Sequence, residues 1–316
     1  MRRLALIVGA CLLVAVAGWL GVGVGKRSRD PEIATLRDEL TKASDAAKVQ
    51  LAKQEKQLRK EAEDQRRRDF KKLSREVEAQ RQRRDLEDRL GLRITGAAED
   101  FEAPPLLSPG DKWHGRAISL DQTLAALDVV TEEMSLYPDS VYRLTGLSRV
   151  VLAQKLQTSM FGLKGFCTIY RVMYLDATLP PDELARTFHH ELFHLIDQSI
   201  LKRRMEDDTE WKGLNAPSPG YSTDQELLSD TTWGRKALAE RRGFVSAYSR
   251  WSAAEDKAEM FEWMAYRPNA LDFRADGDNV LQAKRKLLSA RLLKWNPDLN
   301  DTLWANARDR ESRRRE

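Results

Sequence analysis

The chain has 316 residues, with 53 Lys or Arg against 49 Asp or Glu, a formal net charge of +4. So small a difference between two large totals gives no basic footprint, and nucleic acid is excluded as an expected partner. A charged fraction of 32% and a mean hydropathy of −0.58 are more polar than a wholly globular chain, so part of the sequence is expected outside a core. Two cysteines, Cys11 and Cys167, exclude a disulfide framework.

The N-terminal segment, 1–25, opens with Arg2-Arg3 and an apolar run from Leu4 to Val24, followed by Lys26-Arg27-Ser28-Arg29. About twenty apolar residues suffice to span a bilayer as a helix. An uncleaved signal anchor fits this length, because apolar residues continue past the small-residue site Ala15-Val16-Ala17, where a cleaved signal peptide would end and leave Gly18 as the new start. A lipoprotein signal ending at Cys11 has too short an apolar stretch. Basic residues flank both sides, so they set no clear orientation; the chain beyond the anchor is expected on the extracytoplasmic side.

Residues 26–92 read as a charged helical stalk. From Pro31 to Leu90 there is no glycine and no further proline, and Leu36, Leu40, Ala43, Ala47, Leu51 and Leu58 follow a three-four spacing. Gln and Arg interrupt the seam further on, so a solitary helix held by i,i+4 ion pairs competes with a coiled coil that would pair two copies of the chain. Either is a rod of roughly 90 Å at ~1.5 Å per residue. Pro104-Pro105 and Ser108-Pro109-Gly110 mark 93–112 as a linker.

A globular domain is expected over 113–304. Ser119 caps a helix with Leu120, Leu124, Leu127 and Met134 on its apolar face, and Tyr137-Pro138-Asp139 breaks it. Arg149–Leu156 and Phe166–Leu175 read as strands, Cys167 being a small buried hydrophobe in the second. His114 reads as a surface or loop residue. Pro180-Pro181-Asp182-Glu183 starts a helix on which Leu184, Phe188, Leu192 and Leu195 pack.

That helix carries Thr187-Phe188-His189-His190-Glu191-Leu192-Phe193-His194. The chain has only 4 His, and three fall in this stretch. His190 and His194, one turn apart on one face, can direct two imidazoles at one Zn²⁺, with Glu191 beside them as general base. His189 has Phe193 four residues on, so it lacks a partner at ligand spacing. A strand just before such a helix can bind extended peptide by β-augmentation, and Tyr170–Leu175 is the candidate edge. No histidine lies downstream, so the third ligand of a catalytic site must be an acid. Glu255, Asp256, Glu259 and Glu262 all qualify on pattern in a helix near 253–265.

With Tyr248 and Glu255-Asp256-Lys257-Ala258-Glu259 downstream, His190-Glu191-Leu192-Phe193-His194-Leu195-Ile196-Asp197 resembles the gluzincin metallopeptidases. Among these it resembles the anthrax lethal factor-type catalytic domain and the bacterial zinc-binding metallopeptidases similar to it. The resemblance runs from about Leu184 to Met264, and nothing matches the toxin's other domains. It implies an α+β zincin-like domain, with a small sheet, an active-site helix and a mostly helical C-terminal part; the residue patterns described above place a transmembrane helix and a long coiled-coil-like helix before it. It further implies Glu255 as third zinc ligand and Tyr248 as hydrogen-bond donor to the developing oxyanion. Asp197 and Glu259 would then orient the histidines. The reaction implied is hydrolysis of a peptide or protein substrate by a zinc-activated water, with Glu191 moving the proton. A scaffold that has lost activity and a zinc hydrolase of non-peptide amides are the competing readings. The intact Glu191 argues against the first, and the lack of a carbohydrate-binding cluster against the second.

In the remainder, 207–221 reads as a long loop walling or closing a cleft. Asp272, Asp276 and Asp278 lack EF-hand spacing and read as a solvated turn. Asn279–Trp295 reads as a closing helix, and 305–316 as a charged, disordered tail.

Overall fold

The computed structural model describes residues 31–103, 113–158, 162–168, 170–202, 205–217, 219–222, 224 and 232–315. The chain divides into two compact units, 1–75 and 76–316. The anchor expected at 1–25 and the proline-rich stretch 104–112 lie outside the described residues. Among those described, no helix is long and apolar enough to cross a membrane.

In the first unit, 31–75 are all part of one α-helix, α1 (Pro31–Leu90). Helix formers without Gly or Pro make it continuous, and i,i+4 pairs such as Lys42–Asp38 (2.6 Å) support it weakly. The seam residues Leu36, Leu51 and Leu58 are exposed.

The second unit begins with the last turns of α1, where Ala79, Leu86 and Leu90 enter the core. Among the described residues the sheet has six strands: β1 (Arg93–Gly96), β2 (Phe101–Ala103), β3 (Trp113–Arg116), β4 (Arg149–Gln157), β5 (Gly165–Cys167) and β6 (Val172–Asp176). Hence 93–103, expected as linker, supplies two strands. Buried Glu87 accepts a hydrogen bond from the Ile94 amide (2.7 Å) and fixes the passage from α1 into β1. Strand β4 is central: β1 lies parallel along its first half and β3 antiparallel along its second, with β6 parallel on the other side and β5 outermost. The expected strand over 166–175 is therefore two strands joined by a turn. The edge is β5, not Tyr170–Leu175, because β6 is paired on both sides. His114 lies in β3 and is half-buried.

Eight of the helices follow the sheet's first strands in chain order: α2 (Leu120–Met134), α3 (Asp139–Thr145), α4 (Pro181–Leu201), α5 (Thr209–Lys212), α6 (Leu238–Arg241), α7 (Ala253–Tyr266), α8 (Pro268–Ala275) and α9 (Asn279–Trp295). Helix α10 (Asp301–Arg315) ends the described chain. Ser119 and Gln122 form a reciprocal capping box at the start of α2. Leu124, Leu127 and Met134 are buried as expected, but Leu120 in the first turn is exposed. Pro181 occupies the first turn of α4, with Asp182 and Glu183 at its positive end. This helix packs on β5 and β6 on one side and on α2, α3 and α7 on the others. Leu184, Phe188, Leu192, Phe193 and Ile196 are fully buried there, each contributing about 1.5–3 kcal/mol of apolar burial.

Three further segments differ from expectation. The loop expected over 207–221 is in part the short helix α5, with Trp211 fully buried and its indole donating to Asp256 (2.8 Å). Asp278 is a buried N-cap for α9, accepting from the Val280 and Leu281 amides. The expected tail 305–316 is largely helix: Trp304 and Ala307 are buried, and Arg314 donates to Glu133 (2.8 Å).

Gly165 brings β5 hard against α4. A Cβ there would lie 2.8 Å from the Thr187 methyl, 3.0 Å from Glu191 Cγ and 3.0 Å from the Tyr174 carbonyl oxygen. Gly165→Ala is expected to cost about 1–3 kcal/mol by overpacking. Urea titration of the full chain measures it, and an unchanged midpoint would mean the strand can retreat freely.

Candidate functional site

The floor of the site is one face of α4. His190, Glu191 and His194 each bring a ligand-capable atom within 4.8 Å of the others. His189 points away: it is fully buried between the Tyr137 hydroxyl at Nδ1 (2.7 Å) and Glu133 at Nε2 (3.0 Å). A carboxylate only accepts, so Nε2 carries the proton and Nδ1 accepts from Tyr137. This histidine is a fixed core group, as its lack of a partner at ligand spacing implied.

The wall is α7. Ser252 caps it by accepting from the Glu255 amide (3.3 Å), which starts the helix with Glu255 and Asp256 in its first turn. The four competing acids then separate. Glu255 lies 2.9 Å from His190 Nε2 and 3.5 Å from His194 Nε2. Asp256 turns away to Lys284, and Glu262 to Arg186 and Arg267. Glu259, one turn on, accepts from His190 Nδ1 (3.2 Å).

With Nδ1–H given to Glu259, His190 can turn an Nε2 lone pair to a cation. The Glu255 carboxylate and His194 Nε2, 3.1 Å away, converge on the same point. Acceptors so arranged demand positive charge. Burial opposes protonation of His190, yet the hydrogen bonds and charges of Glu255 and Glu259 outweigh it and raise its pKa well above the usual imidazole range. Burial likewise works to raise the Glu255 carboxyl, but His194 and His190 hold it far below the usual carboxylate range. Two imidazoles and a carboxylate are a zinc donor set, and one divalent cation satisfies all three at once. The Oε2 of Glu191 is buried without a hydrogen-bond partner among the described residues, as a group reserved for a water or substrate would be. Burial raises the Glu191 pKa despite the opposing charges of His194 and His190.

Tyr248 lies in a 3-10 turn, Tyr248–Arg250, with its ring centroid 6.0 Å from that of His190. The residue is 44% exposed, and the carboxylates of Glu255, Glu191 and Glu259 lie near its phenol. Burial, then the carboxylates of Glu255, Glu191 and Glu259, raise its pKa far above the usual phenol value, so it remains a proton donor.

Asp197 does not take the position expected of it. It is buried 2.6 Å from Lys257, which also holds Asp208 (3.1 Å), and it acts on His194 only through its charge. Two groups at the site carried no signal in the sequence. Ser246 donates to Glu259 (2.6 Å), and Cys167 donates from Sγ to the Glu191 carbonyl (3.2 Å). Burial, then Glu191, raise the Cys167 pKa well above the usual thiol value, which keeps it a thiol.

Residues 139–289 match the family model described as "Putative zinc-binding metallo-peptidase". The matched span, from α3 into α9, contains every residue of the constellation. The chain is thus similar to zinc metallopeptidases over the part that builds the site. A crystal structure described as that of a "putative zinc-binding metallo-peptidase" from Bacteroides caccae ATCC 43185 aligns with a TM-score of 0.46 at 15% identity, over 76% of this chain and 93% of that one. No curated protein matches.

Proposed function

We propose that the chain is a membrane-tethered, zinc-dependent endopeptidase of the gluzincin type. The observation that carries the reading is the convergence of His190 Nε2, His194 Nε2 and the Glu255 carboxylate beside an unpartnered, buried Glu191 oxygen. The Tyr248, Glu255 and Glu259 spacing, similar to that of the lethal factor-type domain, supports it. Tethering is supported by the apolar run Leu4–Val24.

The ion's contribution, when bound by His190, His194 and Glu255, is Lewis acidity, which brings the pKa of a water to ~7. The chain's own groups do the rest. Glu191, with its raised pKa, takes a proton from the attacking water at Oε2 and returns it to the leaving amine. Tyr248, held protonated, donates to the oxygen on which negative charge develops. Glu259 fixes the ring of His190 and its tautomer. Edge strand β5, immediately over α4, offers backbone groups to an extended substrate.

The test is metal content of the purified full chain by mass spectrometry, alongside cleavage of a peptide library. One zinc per chain with peptide cleavage is the expected result. Glu255→Ala is expected to lower zinc affinity by at least about 10–100-fold. A chain that takes up no zinc on reconstitution would sink the proposal. Zinc without cleavage of any peptide would overturn the peptidase reading in favour of another amide or a scaffold.

A further inference from the structure

Ser246 has one hydroxyl, and it serves two structures at once. It donates to Glu259 Oε2 (2.6 Å), the oxygen opposite the one that receives His190 Nδ1. It also accepts from the Ser249 amide (3.0 Å). Ser249, fully buried, answers in kind: its hydroxyl donates to the Ser246 carbonyl (2.6 Å) and accepts from the Ser246 amide (3.2 Å). The two serines therefore close a reciprocal box at the start of the turn that presents Tyr248.

We infer that Ser246 is a positioning residue that couples the metal-binding half of the site to the oxyanion-binding half. This rests on the zinc peptidase reading above. A carboxylate hydrogen-bonded at one oxygen only can rock about its own axis. With Ser246 on Oε2, both oxygens of Glu259 are committed, so the acceptor that orients the His190 ring is fixed in two directions. Because the same hydroxyl receives the Ser249 amide, the turn carrying Tyr248 is referenced to Glu259 rather than to solvent. The imidazole at the metal and the phenol above it thus share one hydrogen-bonded frame, and neither can shift without disturbing Ser246. Nothing in the sequence pattern requires a hydroxyl here, whereas the geometry does: alanine removes the donor to Glu259 and the acceptor for Ser249 together.

The experiment compares Ser246→Ala, Ser246→Thr and Ser249→Ala in the full chain. Zinc affinity is read by competition with a chromophoric chelator, and kcat and KM on a peptide the wild type cleaves. Ser246→Ala is expected to weaken zinc binding by about 10–100-fold and to lower kcat at saturating zinc, with KM within about threefold. Ser246→Thr, which keeps the hydroxyl, is expected to restore zinc affinity. Ser249→Ala leaves the bond to Glu259 intact, so it is expected to lower kcat with zinc affinity within about threefold of wild type. It also keeps the test alive should Ser246→Ala fail to fold. The inference is overturned if Ser246→Ala leaves zinc affinity unchanged, if threonine fails to restore it, or if Ser249→Ala costs as much zinc affinity as Ser246→Ala. A wild type that binds zinc yet cleaves no peptide ends the peptidase reading alone, since the affinity comparison still decides the role of Ser246 in holding the metal. A wild type that binds no zinc overturns both.

Discussion

Glu191→Gln is expected to reduce peptide cleavage by at least about 10²–10⁴-fold while the chain still binds zinc. The argument is geometric. Glu191 lies on the same turn as His190 but holds neither imidazole, and its Oε2 is buried with no partner among the described residues. An amide of the same shape leaves the packing against Gly165 and the Cys167 contact with the backbone carbonyl in place. What is lost is a site that can accept a proton from water and give it back. Parallel measurement of kcat/KM and zinc stoichiometry reads the outcome. Activity within tenfold of wild type would remove Glu191 from the chemistry, and loss of zinc would mean that it is a ligand.

The largest expected effect on stability comes from Asp256→Ala. Asp256 and Lys284 are both fully buried, 2.6 Å apart, and Asp256 also accepts from the Trp211 indole (2.8 Å) and the Tyr221 hydroxyl (2.9 Å). Burial pulls the Lys284 pKa below its usual range and pushes the Asp256 pKa above its own, each opposed by the other's charge. Removing the acid strands an ammonium in the interior, which typically costs about 3–5 kcal/mol. Adding Lys284→Met to Asp256→Ala is expected to recover a large part of that loss, because the stranded charge is then gone. Urea denaturation of the two single variants and the double variant gives the cycle. A loss below about 1 kcal/mol in Asp256→Ala would mean that water reaches the pair.

The site was more legible than the architecture around it. His190, Glu191 and His194 carry a spacing that only a helix turns into a common face, and the helix announced itself through Pro180-Pro181 and its acidic first turn. Tyr248, Glu255 and Glu259 were reached through a resemblance, because pattern alone could not rank four acids in one helix. Their order emerges only when Lys284 claims Asp256, and Arg186 and Arg267 claim Glu262. Asp197 misled for the same reason: its partner, Lys257, is 60 residues away in sequence and signals nothing beforehand. The sheet was under-read at 93–103, where two short strands of mixed composition look like a loop until β4 and β3 pair with them. The charged stretch after Trp304 likewise looked unstructured, since the arginines that tie it down, Arg310 and Arg314, are held by an acid in α2.

Those arginines bear on the order in which the molecule assembles. Glu133 reaches His189 across 56 residues, but Arg314 reaches Glu133 across 181. By loop-closure entropy alone, the longer link costs about 1 kcal/mol more to form from an open chain. The shorter contact is therefore favoured to nucleate, with α4 caught against α2 early and its back wall sealed only when α10 arrives. The motif helix is thus expected to be in place before the shell behind it is complete.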